Sequence, residues 1–222
     1  MEHHPLIMPS SRTTLPFARR SCGFTLMELL MVMVIISLLL GLVAPVANQV
    51  IQSNRLGSAA SNLANQINLA RMTAIRLNKP VEVRFFSYAD AQAPGSASGY
   101  RAAQLWVGGS PFQPMTLFED GVIIATGTAE ASWSSLLNPT YNAGAGADPP
   151  PDFKLARAVP GSTLKVSTFQ FQPDGSTNLG GSGHWSLTLA QESDLAGDAL
   201  PPNFITLMVD PVNGSVRMLR PD

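Results

Sequence analysis

Apolar residues are distributed in three different ways along this chain, and each way predicts a different element. From Leu29 to Asn54 there is no charged residue, and the stretch from Leu29 to Ala44 is aliphatic but for Ser37 and Gly41. A segment apolar on every side and of that length predicts a helix that can cross a bilayer. From Leu56 onward the pattern changes to a stripe. Leu56, Ala60, Leu63, Ile67, Ala70, Ala74 and Leu77 recur at alternating steps of four and three, with Arg55, Ser58, Asn62, Asn65, Gln66, Arg71 and Arg76 between them. This is the period of an amphipathic helix. Its narrow stripe, rich in alanine, suits packing against a sheet better than a coiled coil. The two patterns join into one helix over residues 24–78, with at most a bend at Gly41 and Pro45, and Asn78 and Pro80 end it.

Beyond Pro80 the period falls to two. Val81-Glu-Val-Arg-Phe-Phe86 alternates apolar and charged residues, which predicts a strand with one face buried. Further strands are expected over 100–107, 122–126, 164–172, 185–190, 204–209 and 215–219. Pro173-Asp-Gly-Ser176 and Pro211-Val-Asn-Gly214 supply turns, and the second makes the last two strands a hairpin. Residues 132–137 read as a helical turn. Stretches 89–99 and 139–152, rich in Gly, Pro and Ala, lack periodicity and are expected to be exposed loops. No internal repeat and no linker divides this part. The elements so far are a long N-terminal helix, membrane-spanning in its first half and amphipathic in its second, followed by strands that the amphipathic half can pack against.

Charge gives the helix a direction. Arg12, Arg19 and Arg20 precede the apolar run, so the N-terminus is expected on the cytoplasmic side. Glu28 then stands alone at the head of the apolar run, where a carboxylate costs roughly 2.5–3.5 kcal/mol on the milder insertion scales. If the chain were cut between Gly23 and Phe24, a new ammonium group would lie four residues before Glu28. On a regular helix that spacing shares one face. Pairing the two groups, within a chain or between neighbours, would relieve the cost of an isolated buried charge and so favour assembly.

The residues Arg19-Arg-Ser-Cys-Gly23 followed by Phe24-Thr-Leu-Met-Glu28-Leu-Leu resemble the cleavage and methylation signal of type IV pilins and type II secretion pseudopilins. That resemblance implies a membrane peptidase that cuts after Gly23 and methylates the new N-terminal Phe24. It also implies that Glu28 sets filament register and that Pro45 is the helix-kinking proline. Leu69-Ala-Arg71-Met-Thr-Ala-Ile-Arg76-Leu-Asn-Lys-Pro80-Val81 resembles the helix-to-strand junction of the GspH/FimT class. Phe171-Gln-Pro-Asp-Gly175-Ser and Asp210-Pro-Val-Asn-Gly214-Ser-Val-Arg217 resemble its C-terminal strand-turn elements. The whole chain is also similar to the group called Verru_Chthon cassette protein D. The implied fold class is α+β, a long N-terminal helix, transmembrane in its first half and amphipathic in its second, packed on an antiparallel β-sheet head. The implied division is a removed leader over 1–23, a transmembrane and filament-core helix over 24–47, and the amphipathic helix with a periplasmic β-rich head over 48–222. The implied partners are the prepilin peptidase, other pilins or pseudopilins through the helix bundle, the inner-membrane assembly platform and membrane lipid. The implied role is a non-enzymatic minor subunit of a secretion pseudopilus. The alternative is a minor type IV pilin used in DNA uptake, adhesion or motility.

Composition narrows the chemistry further. Without residues 1–23 the chain loses three of its 14 Lys and Arg and one of its 15 Asp and Glu, so its net charge moves from −1 to −3. Neither value suits nucleic acid, and Arg217 and Arg220 are diluted by Asp222. Cys22, the sole cysteine, belongs to the leader, and His184 is the one histidine beyond it. No disulfide, no cofactor and no zinc-type metal site is expected. Gly95-Ser-Ala-Ser-Gly99 has alanine where a nucleophile elbow needs serine, and Gly144-Ala-Gly146 lacks the third glycine of a phosphate cradle. Asp174 and Asp210 belong to turns rather than a calcium loop, and Asn213-Gly214 is first a hairpin turn. Trp106, Trp133 and Trp185 are expected in the core or at its rim.

Overall fold

The computed structural model describes residues 23–93, 95–127, 132–142, 144–146, 148–149, 153–181, 183–195 and 199–221. Within the helix the side chains of residues 42–48 lie outside that set. The expected leader thus falls outside the described residues except for Gly23, as does the side chain of Pro45. The chain divides into two units, Met1–Val46 and Ala47–Asp222, with the boundary inside helix α1 (Leu26–Leu77).

In the first unit α1 begins at Leu26, two residues later than the apolar pattern predicts. Leu29, Leu30, Met31, Val32, Met33, Val34, Ile35, Ile36, Leu38, Leu39 and Leu40 are all exposed. Successive residues cover the whole circumference, so among the described residues this stretch is exposed on every side.

In the second unit α1 lies on a sheet. Leu56, Ala59, Ala60, Leu63, Ile67, Ala70 and Ala74 are buried in one core with Val83, Phe85, Leu105, Phe169, Phe171, Leu187 and Leu207. Alanine on this stripe lets the helix axis approach the sheet closely, and the larger residues fill the remaining space. Leu77 departs from the expected stripe: it is 39% exposed. The helix closes there, because Asn78 takes a left-handed φ of 51° and the Lys79 N–H returns to the Ala74 carbonyl at 3.3 Å. Buried Thr73 joins the stripe although its side chain is polar.

Among the described residues the sheet has nine antiparallel strands: β1 (Val81–Tyr88), β2 (Gly99–Val107), β3 (Ser110–Pro111), β4 (Thr116–Leu117), β5 (Val122–Ala125), β6 (Lys165–Phe171), β7 (Trp185–Gln191), β8 (Phe204–Val209) and β9 (Val216–Leu219). The main path runs β6-β1-β2-β5-β7-β8-β9, and β3 and β4 both pair with β2. Seven of these strands fall where alternation predicts them. The two-residue β3 and β4 do not show in the pattern, because the free edge of β2 sets them rather than any period of their own. The expected helical turn is a 3-10 turn at Ser135–Leu137, and β8 and β9 form the expected hairpin.

The two Gly- and Pro-rich stretches are not wholly exposed loops. Asp90 is 4% exposed and Asn142 is 6% exposed. Residues 153–164 form a strap over the sheet face opposite α1, where Phe86, Tyr88, Ala102 and Val166 make a second apolar cluster with Phe153, Leu155 and Leu164. Phe153 stacks on Phe86 at 4.9 Å. Two backbone bonds, Ala91 N–H to Arg157 O and Val159 N–H to Ala89 O, stitch the strap to the end of β1. Arg157 clamps it further, reaching Asp90 at 2.8 Å and Asp120 at 2.6 Å.

The outer edge of β6 is also occupied. Thr168 donates its N–H to the Gly144 carbonyl, and Asn142 Nδ2 donates to the Thr168 carbonyl at 3.0 Å. The 142–146 loop therefore satisfies backbone groups that an edge strand would otherwise offer to solvent.

Candidate functional site

Two places carry the residues that the sequence marks out. The first is the start of α1. Gly23 and Phe24 are exposed and precede the helix, and Phe24 is 77% exposed. Thr25 caps it: its Oγ1 accepts the Glu28 N–H at 3.2 Å, and its carbonyl accepts the Leu29 N–H at 3.1 Å. Thr25-Leu-Met-Glu28 thus has the spacing of a capping box, and Glu28 sits in the first turn, where the helix dipole favours a carboxylate. The sequence carried this signal in its Thr-x-x-Glu spacing, which the charge of Glu28 overshadowed. The late helix start also changes the expected geometry, because Phe24 and Glu28 are not one turn apart on a regular helix. An amino group at Phe24 would lie just ahead of the capping residue, at the end where four backbone N–H groups are unpaired within the helix.

After this cap comes the exposed aliphatic stretch. Side chains at 29–36 and 38–40 leave no polar face on which water could be retained, so the stable surroundings for this segment are lipid or similar helices. Among the described residues, which exclude the side chains of 42–48, no helix is long and apolar enough to cross a membrane. The expected span over 29–54 includes that excluded segment.

The second place is a junction in the head, where three separately recognised segments meet. Gly175 and Gly214 have φ of 85° and 66°, conformations that favour glycine. The turns that hold them touch one another and α1. A Cβ on Gly214 would overlap the Gly175 carbonyl oxygen and would come within 2.8 Å of Phe171 Cε1 and 3.1 Å of Arg71 Cδ. A Cβ on Gly175 would lie 3.1 Å from Ile75 Cδ1. Thr177 adds two bonds to the Pro211 carbonyl, from its N–H at 2.9 Å and from its hydroxyl at 3.1 Å. Arg71 Nε is buried there without a hydrogen-bond partner among the described residues. The arrangement fixes the end of the helix to the C-terminal hairpin, which is a positioning task.

The acidic residues of these turns serve the backbone. Asp174 accepts from the Ser176 hydroxyl and N–H, and Asp210 accepts from the N–H groups of Val212 and Asn213. These bonds hold both carboxyls below the usual carboxylate range. His184 is exposed beside buried Trp185, and Trp106 carries the Arg84 guanidinium 3.9 Å above its ring. Arg217 pairs in register with Met208, whereas Arg220 donates to Ser53 Oγ on α1 at 2.7 Å. A cleft of about 270 Å³ between Tyr100 and Trp133 is walled by Ser87, Ser98, Ile123 and Leu195, with no carboxylate, imidazole or amine among its described residues. Among the described residues no group of three His, Cys, Asp or Glu is placed to hold a metal ion.

Comparison with known families gives two matches. Residues 18–44 match the prokaryotic N-terminal methylation motif, and residues 59–198 match the type II transport protein GspH. The second match runs from the amphipathic stretch of α1 through β7 and ends before the β8–β9 hairpin. No curated protein and no solved structure matches the chain.

Proposed function

We propose that this chain, which belongs to the type II transport protein GspH family, is a minor subunit of a secretion pseudopilus, matured by cleavage between Gly23 and Phe24. The coarser statement, a type II secretion pseudopilin or pilin-like subunit, rests on that membership and on the N-terminal methylation motif. The finer reading assigns methylation to the freed Phe24, register to Glu28 and the helix bend to Pro45. It divides the chain into a leader over 1–23, a membrane and filament-core helix over 24–47, and a periplasmic part over 48–222. The prepilin peptidase, sister pseudopilins, the inner-membrane platform and lipid are its partners.

One observation carries this reading: the aliphatic stretch of α1 is exposed on all sides, directly after a capped start that holds a single carboxylate. In lipid the stretch is matched to its surroundings. In a bundle of like helices it is equally matched, and the carboxylate can there meet an ammonium group from a neighbour. Transfer from the first environment to the second needs no refolding of the head, whose core is closed by the second half of the helix. The function is mechanical, with the head supplying surface. Arg220 is engaged by Ser53 on the helix, which gives no support to the alternative of a pilin that captures DNA.

The test is a pair of variants in a host with a working secretion machine. Gly23→Leu should leave the unprocessed precursor in the inner membrane, read by mass spectrometry of the N-terminus. Glu28→Leu should insert and be processed but fail to enter filaments, read by shearing and immunoblot. Normal processing of the first, or normal incorporation of the second, overturns the respective assignment.

A further inference from the structure

We infer that Asn213–Gly214 is a latent deamidation site that the folded head holds shut, so that it reacts only when the junction of the two turns opens. This inference does not depend on the filament reading. The reaction is intrinsic to an asparagine followed by glycine. The Gly214 backbone nitrogen loses its proton to hydroxide or buffer base and attacks Asn213 Cγ. A bond forms between that nitrogen and Cγ, the Cγ–Nδ2 bond breaks, and Nδ2 leaves as ammonia after taking up a proton. Water then opens the five-membered imide to aspartate or isoaspartate at position 213. No oxidant or reductant enters.

Glycine offers no Cβ to hinder the attack, and Asn213 is exposed to water and base. By composition and exposure the pair should therefore react readily. The geometry opposes it at each atom the reaction must move. The Gly214 N–H, which must be freed, donates to the Asp210 carbonyl at 2.9 Å. Asn213 Nδ2, the leaving nitrogen, donates to Asp210 Oδ2 at 3.1 Å, and Asn213 Oδ1 accepts the Ser215 N–H at 2.7 Å. Ring closure must also swing the Gly214 peptide, and Gly214 is buried against Gly175, Phe171 and Arg71. The side-chain amide is thus tied at both ends, and the backbone nucleophile is tied and packed.

Reaction would be destructive to this junction. An aspartate at 213 sets a second carboxylate where the amide now donates to Asp210, replacing an attraction with a repulsion. Isoaspartate adds a methylene to the main chain inside a turn that has no slack. A chain that stays unfolded before its head closes would therefore carry a permanent defect at the hairpin.

The experiment uses the full chain in detergent micelles at mildly alkaline pH and 37 °C, with peptide mapping by mass spectrometry of the segment containing Asn213. Three samples are followed: the native chain, the same chain in concentrated urea, and Asp210→Ala. Deamidation in urea should exceed the native rate by about tenfold or more, because reaction then no longer waits for a local opening. Asp210→Ala should react faster than the native chain under native conditions. Thr177→Val, which removes one tether to Pro211 and keeps the side-chain volume, gives a milder second opening with an intermediate rate, and tryptophan fluorescence verifies that each variant remains folded. Equal rates in the native and urea samples overturn the inference. So does a folded Asp210→Ala that reacts no faster than wild type. If that variant is unfolded, the Thr177→Val rate decides, and no change there counts against the lock.

Discussion

Replacing Arg157 by methionine tests how much the strap over the second apolar cluster depends on one cation. Methionine keeps most of the stem that packs along the strap and removes the charge. Asp90, whose side chain is 6% exposed beside Arg157, is then left with only the Gln92 N–H still bonded to its carboxylate at 2.9 Å. Breaking a buried pair by removing one partner costs about 3–5 kcal/mol, and the 21% exposure of the Arg157 side chain moves the expectation to the lower end, about 3 kcal/mol. The second partner serves as an internal control. Asp120 is 69% exposed in its side chain, so Asp120→Asn should cost under about 1 kcal/mol. Adding Asp90→Asn to Arg157→Met should recover about 1 kcal/mol or more, because the stranded charge is then gone. Urea unfolding followed by tryptophan fluorescence reads all of these, since Trp106, Trp133 and Trp185 all lie in the head. The pH dependence has a defined sign. Burial works to raise the Asp90 carboxyl, but the Arg157 hydrogen bond, the Gln92 N–H and the charges of Arg157 and Arg101 together hold it below the usual carboxylate range. A lowered folded value contributes stability that is complete above the unfolded value of about 3.9 and shrinks as pH falls through the folded one. The gap between wild type and Arg157→Met should therefore be widest near neutral pH and narrow as pH falls and the stranded Asp90 carboxyl takes up a proton. If Arg157→Met costs no more than Asp120→Asn, the clamp does not hold the strap and the reasoning fails.

Gly214→Ala combines a left-handed backbone with overlap against the Gly175 carbonyl, and should cost about 2 kcal/mol or more in the same unfolding assay; a neutral result would mean that the two turns do not pack as described. Ser134→Ala removes a buried hydroxyl that donates to the Ala125 carbonyl and accepts the Thr188 N–H at 2.9 Å. It should cost about 1–3 kcal/mol and quicken hydrogen exchange at the Thr188 amide. Unchanged exchange there would place the amide's partner elsewhere.

Periodic features of the fold were readable because they repeat locally. The stripe from Leu56 to Ala74 and the alternation of Val81, Val83 and Phe85 each state their own burial, so the helix and seven strands followed from spacing, while the antiparallel α+β arrangement came with the family resemblance. Features that join distant segments left no such trace. Asp90 and Arg157 lie 67 residues apart, the first in a stretch without periodicity and the second in a segment to which no element was assigned, and only the folded strap brings them together. Gly175 and Gly214 were each legible as turn residues, but their contact with one another and with Arg71 is a property of the packed junction. The extra strands β3 and β4 exist because β2 has an edge to share. At the N-terminus the limit was different. Thr25 and Glu28 stand at capping distance in the sequence itself, yet a carboxylate at the head of an apolar run suggests an intermolecular partner first, and the backbone partner is easily passed over.

The bond between Thr168 and Gly144 has a consequence beyond the single chain. Heads lined up along a fibre meet at very high local concentration, the condition under which bare strand borders zip together without limit. Here one border of the sheet is already stitched to its own loop, and the opposite one, β9, is four residues long, carries Arg217 and is followed by Arg220. Uncontrolled sheet-to-sheet growth is thereby suppressed at both margins. Association between subunits is left to the exposed aliphatic stretch of the helix.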